Sequence, residues 1–205
     1  MVMRTTRARG KDGIRRVARW RLGGLLLALI GLASAAGLPS PGAQAQRPSR
    51  DEVEAAYLYN FGRFVRWPAE MARGPLVICV AAQDSLAHAL GSLTAGEEID
   101  ERPLQVKPVE SPGGMQGCSI LFISSMGPAR VDAFLAAAAG KPILTVGDGP
   151  DFLARGGTIQ FVLMEDHVRF SVNLSAANRG GLGLSSELLK VAVSVTGKPG
   201  TGGSR

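Results

Sequence analysis

The sequence lacks every short motif that would carry chemistry by itself. It has no G-x-S-x-G elbow, no H-E-x-x-H, no P-loop, and no G-x-G-x-x-G after a strand. A hydrolase needs a nucleophile, a base and an oxyanion stabiliser that converge, and no such set is legible. The glycine-rich stretches Ser111-Pro112-Gly113-Gly114 and Gly180-Gly181-Leu182-Gly183 lack the strand-to-helix spacing of a phosphate loop and read as turns. Glu165, Asp166 and His167 read as a solvated hairpin tip, and Asp148 and Asp151 as helix caps. No catalytic residue, metal ligand or cofactor is expected. With only two cysteines and with His88 and His167 far apart, nothing builds a zinc cluster.

Positive charge is also missing where a nucleic-acid binder would need it. Residues 1–45 carry eight basic side chains and one acidic one, a charge of +7, so the +6 of the whole chain leaves −1 for residues 46–205. A near-neutral domain has no phosphate-binding footprint, and no nucleic-acid partner is expected. The basic stretch instead opens a three-part secretory signal. Cationic residues end at Arg21, an apolar run follows from Leu22 to Ala36, and Ala43-Gln44-Ala45 supplies an A-x-A site, with Ala33-Ser34-Ala35 as a second candidate. The run falls short of the ~20 apolar residues of a membrane span. Residues 1–45 are therefore read as a leader cleaved near Ala45, with an uncleaved anchor as the alternative. Residues 46–196 are read as one domain, and the glycine-rich residues 197–205 as a flexible tail. In an oxidising compartment Cys79 and Cys118 read as a disulfide, worth roughly 3–4 kcal/mol by chain entropy; two buried thiols are the alternative.

The patterning predicts an α/β fold. Asp51–Val65 reads as an amphipathic helix with Val53, Ala56, Tyr57, Phe61 and Phe64 on one face and Asn60 tied to backbone groups; Trp67-Pro68 closes it. Six apolar runs follow: Leu76–Val80, Leu104–Val109, Ser119–Ile123, Ile143–Val146, Thr158–Leu163 and Val168–Leu174. The nearly continuous ones suit a parallel sheet buried on both faces, and the sixth alternates as a half-buried strand antiparallel to the fifth. Helices are placed from Asp84 to Leu93, from Pro128 to Ala139 ahead of Gly140, briefly around Phe152 and Leu153, and from Ser185 to about Val195, the last burying Leu184, Leu188, Val191 and Val195. The expected architecture is a three-layer sandwich, a mostly parallel sheet of about six strands with helices on both faces.

Three stretches together resemble one family. They are Ala55-Ala56-Tyr57-Leu58-Tyr59-Asn60-Phe61-Gly62-Arg63-Phe64-Val65-Arg66-Trp67-Pro68; then Ile120–Ser124 with Ile143–Asp148 and Gly156–Ile159; then Val168–Leu174 with Ala176–Leu182 and Ser185–Leu189. In this order they are similar to the YfiR-like periplasmic family, over roughly residues 51–196. The resemblance implies an exported, dimerising α/β domain that binds the periplasmic sensor domain of an inner-membrane diguanylate cyclase and holds it inactive. It also implies that Cys79 and Cys118 match one of two disulfides in the best-studied member; the second has no counterpart here, so a redox-sensing role for it does not carry over. On this reading the docking surface is the last strand and the turn after it, with Phe170, Arg179, Leu182 and Leu184. Leu182 is offered by a glycine-rich loop and Arg179 presents a donor fork to a carboxylate. Alternatively Leu182 packs beneath the final helix. The rival function is a periplasmic small-molecule binder or enzyme with a pocket at the strand ends.

Overall fold

A computed structural model describes residues 47–198, apart from residues 72, 82 and 83. The leader with its cleavage site and the tail from residue 199 lie outside the described residues. Fifteen regular elements follow in order: α1 (Arg50–Phe64), β1 (Val65–Arg66), β2 (Leu76–Ala81), α2 (Asp84–Thr94), β3 (Glu98–Ile99), β4 (Arg102–Val109), β5 (Ile120–Ile123), α3 (Pro128–Ala138), β6 (Leu144–Gly147), β7 (Ile159–Met164), β8 (His167–Asn173), α4 (Leu174–Arg179), β9 (Gly183–Leu184), α5 (Ser186–Val191) and β10 (Ser194–Thr196).

All six expected strands are present, within a sheet of eight ordered β10-β8-β7-β6-β5-β2-β4-β3. From β4 to β7 every pairing is parallel, the doubly wound order in which the chain starts mid-sheet and reverses direction between β2 and β5. The β7–β8 pairing is antiparallel, as its alternation implied, and β10 runs parallel to β8. Both hairpins turn through two non-glycine residues with positive φ, Asp100-Glu101 and Glu165-Asp166, the backbone hand that matches strand twist.

Side chains alternate across the sheet and so divide the core in two. Ile78 and Val80 of β2, Ile120 and Phe122 of β5, and Leu144 and Val146 of β6 join the cluster beneath α1, α2 and α5. Cys79, Ala81, Leu121 and Ile123 face the other way, into a cluster with Val131, Phe134 and Leu135 of α3. Helices thus cover both faces, as the three-layer reading requires.

Local signals explain α1. Ser49 Oγ accepts from the Glu52 N–H and the Glu52 carboxylate accepts from the Ser49 N–H, a complete capping box. Its buried face differs from the expected one. Ala55, Leu58, Phe61 and Gly62 are buried with Glu54, Val53 and Tyr57 are half-buried, and Phe64 is exposed. Gly62 lies against Ile99 and Leu76 on this buried side, where a Cβ would lie 2.8 Å from Ile99 Cδ1. Asn60 is tied to backbone as anticipated, donating to the Ala56 carbonyl at 2.7 Å.

Two helix expectations need correction. The segment around Phe152 and Leu153 is a series of turns, with the Phe152 ring buried against Gly147 and Gly157. The last helix stops at Val191; Val193–Thr196 is β-branched at three of four positions and adds a strand instead. Val191, the last residue of α5, and Val195 in β10 are exposed, Leu184 is half-buried, and only Leu188 of the expected set is buried.

Candidate functional site

The four residues assigned to docking separate into three environments. Phe170 is 1% exposed, with its ring edge-on to Phe61 and Tyr57 at centroid distances of 5.2 and 5.4 Å. It is a core anchor, and its expected surface position is corrected. Leu182 is also buried, at 4% exposure, and belongs to the α1 cluster. The reason is tertiary: β9 pairs antiparallel with β1, setting Leu184 opposite Val65, and the Ser185 N–H donates to the Phe64 carbonyl at 3.0 Å. The glycine-rich loop is thereby laid over the end of α1, which supplies the core that the loop lacks locally. Leu184 is half-buried in this ribbon. Arg179 alone of the four is exposed, and its guanidinium has no carboxylate partner among the described residues.

The exposed apolar surface at this end lies one element later. Val191, Val193 and Val195 are 60, 47 and 41% exposed, alternate residues along the chain approaching and forming β10. This strand is the sheet edge. The Val193 N–H donates to the Phe170 carbonyl at 2.8 Å and Thr196 Oγ1 to the Val172 carbonyl at 3.2 Å, so its inner side is satisfied by β8. Asn178 Nδ2 donates to the Lys198 carbonyl at 2.8 Å, which fastens the end of α4, next to Arg179, beside the strand. This edge strand is three residues long, with Val195 at its centre and no charge, Pro or bulge within it, so shortness is the device that limits its pairing with another chain. Period-2 spacing of Val191, Val193 and Val195 was the available signal, hidden by its continuity with a helical stretch.

Cys79 and Cys118 form a disulfide with Cα atoms 5.7 Å apart, both fully buried on the α3 face. It ties β2 to the chain entering β5 and excludes the free-thiol alternative. The hairpin-tip residues Glu165, Asp166 and His167 are all exposed, and His167 Nδ1 lies 2.7 Å from the Glu165 carbonyl.

One polar cluster was not anticipated. Glu54 is completely buried, accepting from Arg50 Nε at 2.7 Å while its Oε2 meets no donor. Arg50 Nη2 also reaches Asp148 Oδ2 at 3.3 Å, beyond the end of β6. Burial pushes the Glu54 carboxyl above its ordinary value, more strongly than the Arg50 hydrogen bond and charge pull it down. The same hydrogen bond raises Arg50, outweighing the partial burial that lowers it.

A family model described as YfiR/HmsC-like matches residues 51–193, all but the edges of the described domain. The chain belongs to the YfiR/HmsC-like family. A comparison with curated proteins finds no match. Among solved structures, a conserved domain protein from Vibrio cholerae is similar at a TM-score of 0.50 and 12% identity, over 72% of this chain and 60% of that one. The ABC domain in complex with L-Trp from Streptococcus pneumonia gives a TM-score of 0.44 at 10% identity, over 59% of this chain and 55% of that one. At these identities the first shows the fold alone. The chain spans 60% of the Vibrio protein's length. In this YfiR/HmsC-like chain no helix among the described residues is long and apolar enough to cross a membrane.

Proposed function

We propose that this YfiR/HmsC-like chain is a non-enzymatic periplasmic regulator, exported by a leader cleaved near Ala45. It acts as a homodimer that binds the periplasmic sensor domain of an inner-membrane signalling protein, a diguanylate cyclase, and represses it. Family membership over residues 51–193 carries this reading, and the buried Cys79–Cys118 disulfide supports an oxidising compartment. The docking surface is revised from the sequence expectation. Phe170 and Leu182 hold the fold from within, and the exposed set of Arg179, Val193 and Val195 beside the open edge of β10 meets the sensor. Such a surface suits an apolar contact flanked by a carboxylate, which Arg179 would bind in a forked pair.

The test is cyclic di-GMP in cells co-expressing the chain and its cognate cyclase. Arg179→Glu and Val195→Asp should each release repression while the purified variants keep wild-type circular dichroism. Full repression by both folded variants would overturn the assignment of this surface.

A further inference from the structure

At the end of the sheet where β6 and β7 begin, a cavity of about 300 Å³ opens between the C-terminal ends of α3 and α4. Three elements meet there because two glycines allow it. A Cβ on Gly180 would lie 2.6 Å from the Lys141 carbonyl oxygen, so only glycine lets the end of α4 rest on the turn between α3 and β6. Gly156 has φ +101°, and a Cβ there would lie 3.9 Å from Arg179 Nη2, so the Arg179 guanidinium reaches the turn that carries Arg155. Lys141, Arg155 and Arg179 therefore line one small space. Only Asp132 opposes them; it takes two bonds from Arg155 Nη1, at 2.8 and 2.9 Å. Neither Lys141 nor Arg179 has a carboxylate partner among the described residues.

The inner wall offers a further donor. Thr145 and Thr158 are both buried, line the cavity, and stand with their hydroxyls 3.0 Å apart. Thr145 Oγ1 already accepts from the Thr158 N–H at 3.0 Å. Two hydroxyls sharing one contact spend one hydrogen between them, whichever donates. The second hydrogen has no acceptor among the hydrogen bonds of the described residues. A buried donor left over is costly unless something takes it.

Helix ends supply part of the balance. The C-terminal carbonyls of α3 and α4 act as about −0.5 charge each and favour nearby cations, so Lys141 and Arg179 also serve these helices. With Asp132 cancelling Arg155, two positive charges face roughly one negative charge of helix origin, and the excess stays positive. We propose that this cavity binds a small solute through an oxyanion group, a carboxylate or a phosphate, held by Lys141 and Arg179 and by the spare threonine hydroxyl. The size, at the low end for ligand pockets, suits a metabolite. This goes beyond the regulatory reading: it gives Arg179 a second partner besides the sensor carboxylate, and it needs no membrane protein to be present.

Titration calorimetry of the purified chain tests it, with inorganic phosphate in one arm and succinate in the other to separate the two oxyanion sources. At least one probe should bind saturably, more weakly as salt rises. Lys141→Ala and Thr145→Val should each weaken binding by about tenfold, the loss expected for one charge-assisted hydrogen bond. Arg169→Ala, an exposed arginine outside the cavity, and Val195→Asp should leave binding unchanged; the latter separates this site from the proposed docking edge. No saturable binding of either probe at concentrations on the order of 10 mM, or equal loss in Arg169→Ala, would overturn the proposal.

Discussion

The two faces of the sheet are held by different means. Beneath α1, aromatic volume does the work: Tyr57, Phe61, Phe122, Phe161 and Phe170 lie with ring centroids 5.2 to 6.2 Å apart in successive contacts. Beneath α3 the rings are only Phe134 and Phe152, and small residues such as Ala81 and Ala138 leave less to bury. There the disulfide lies within the core and Phe152 is gripped by two glycines. One face relies on burial of large groups, whose worth scales with area removed from water. The other adds a covalent constraint, which acts largely by limiting the unfolded chain.

The largest expected effect lies on the aromatic face. Phe170→Ala removes a ring with edge contacts to two others and should cost about 3–5 kcal/mol, read from urea unfolding midpoints. A loss below ~1 kcal/mol would mean that the face can collapse around the gap, and would restore Phe170 as a candidate for surface work. On the opposite face, Cys79→Ala combined with Cys118→Ala should cost roughly 3–4 kcal/mol under oxidising conditions. Under full reduction the wild type should lose most of this advantage; an undiminished difference would locate the effect in packing. Gly147→Ala sharpens the contrast further. Its Cβ would meet Phe152 Cε2 at 2.5 Å and the Ile123 carbonyl oxygen at 2.9 Å, so about 1–3 kcal/mol of overpacking is expected from a single methyl group.

The same division shows what the sequence could express. Strands β2 and β4 to β8 were legible because each is a local run whose period and length speak for themselves. The disulfide followed from compartment and cysteine number. The candidate site was less legible. Leu182 sits among glycines, and its burial depends on β1 meeting β9, a pairing of residues 65–66 with residues 183–184 that no local pattern encodes. The edge strand β10 was misread because Leu188, Val191 and Val195 also fit helical spacing; the competition was settled by pairing with β8. The cationic cavity brings Lys141 and Arg155 together from two turns and Arg179 from the end of α4, so its only trace in the sequence was an adjacent glycine at each.

The smallest effect, and the one most specific to the aromatic face, concerns Glu54. Burial raises its carboxyl above the ordinary 4.5, against the pull of Arg50 and with Asp148 and Asp51 nearby adding to the rise. The folded chain therefore holds this proton to higher pH than the unfolded chain does. The corresponding stability is fully present below pH 4.5 and is lost as pH rises through the folded value. Glu52 works in the opposite sense, since the Ser49 N–H and hydroxyl depress its carboxyl and that contribution is lost on acidification. Because both act in the wild type, the informative quantity is the difference between wild type and Glu54→Gln, measured as unfolding midpoints from pH 4 to pH 8. Glutamine keeps the shape without the charge, so the wild type should lose stability relative to the variant as pH rises. Parallel profiles would mean that Arg50 compensates the buried carboxylate fully, and the α1 face would then contain a neutralised ion pair in place of a destabilising acid.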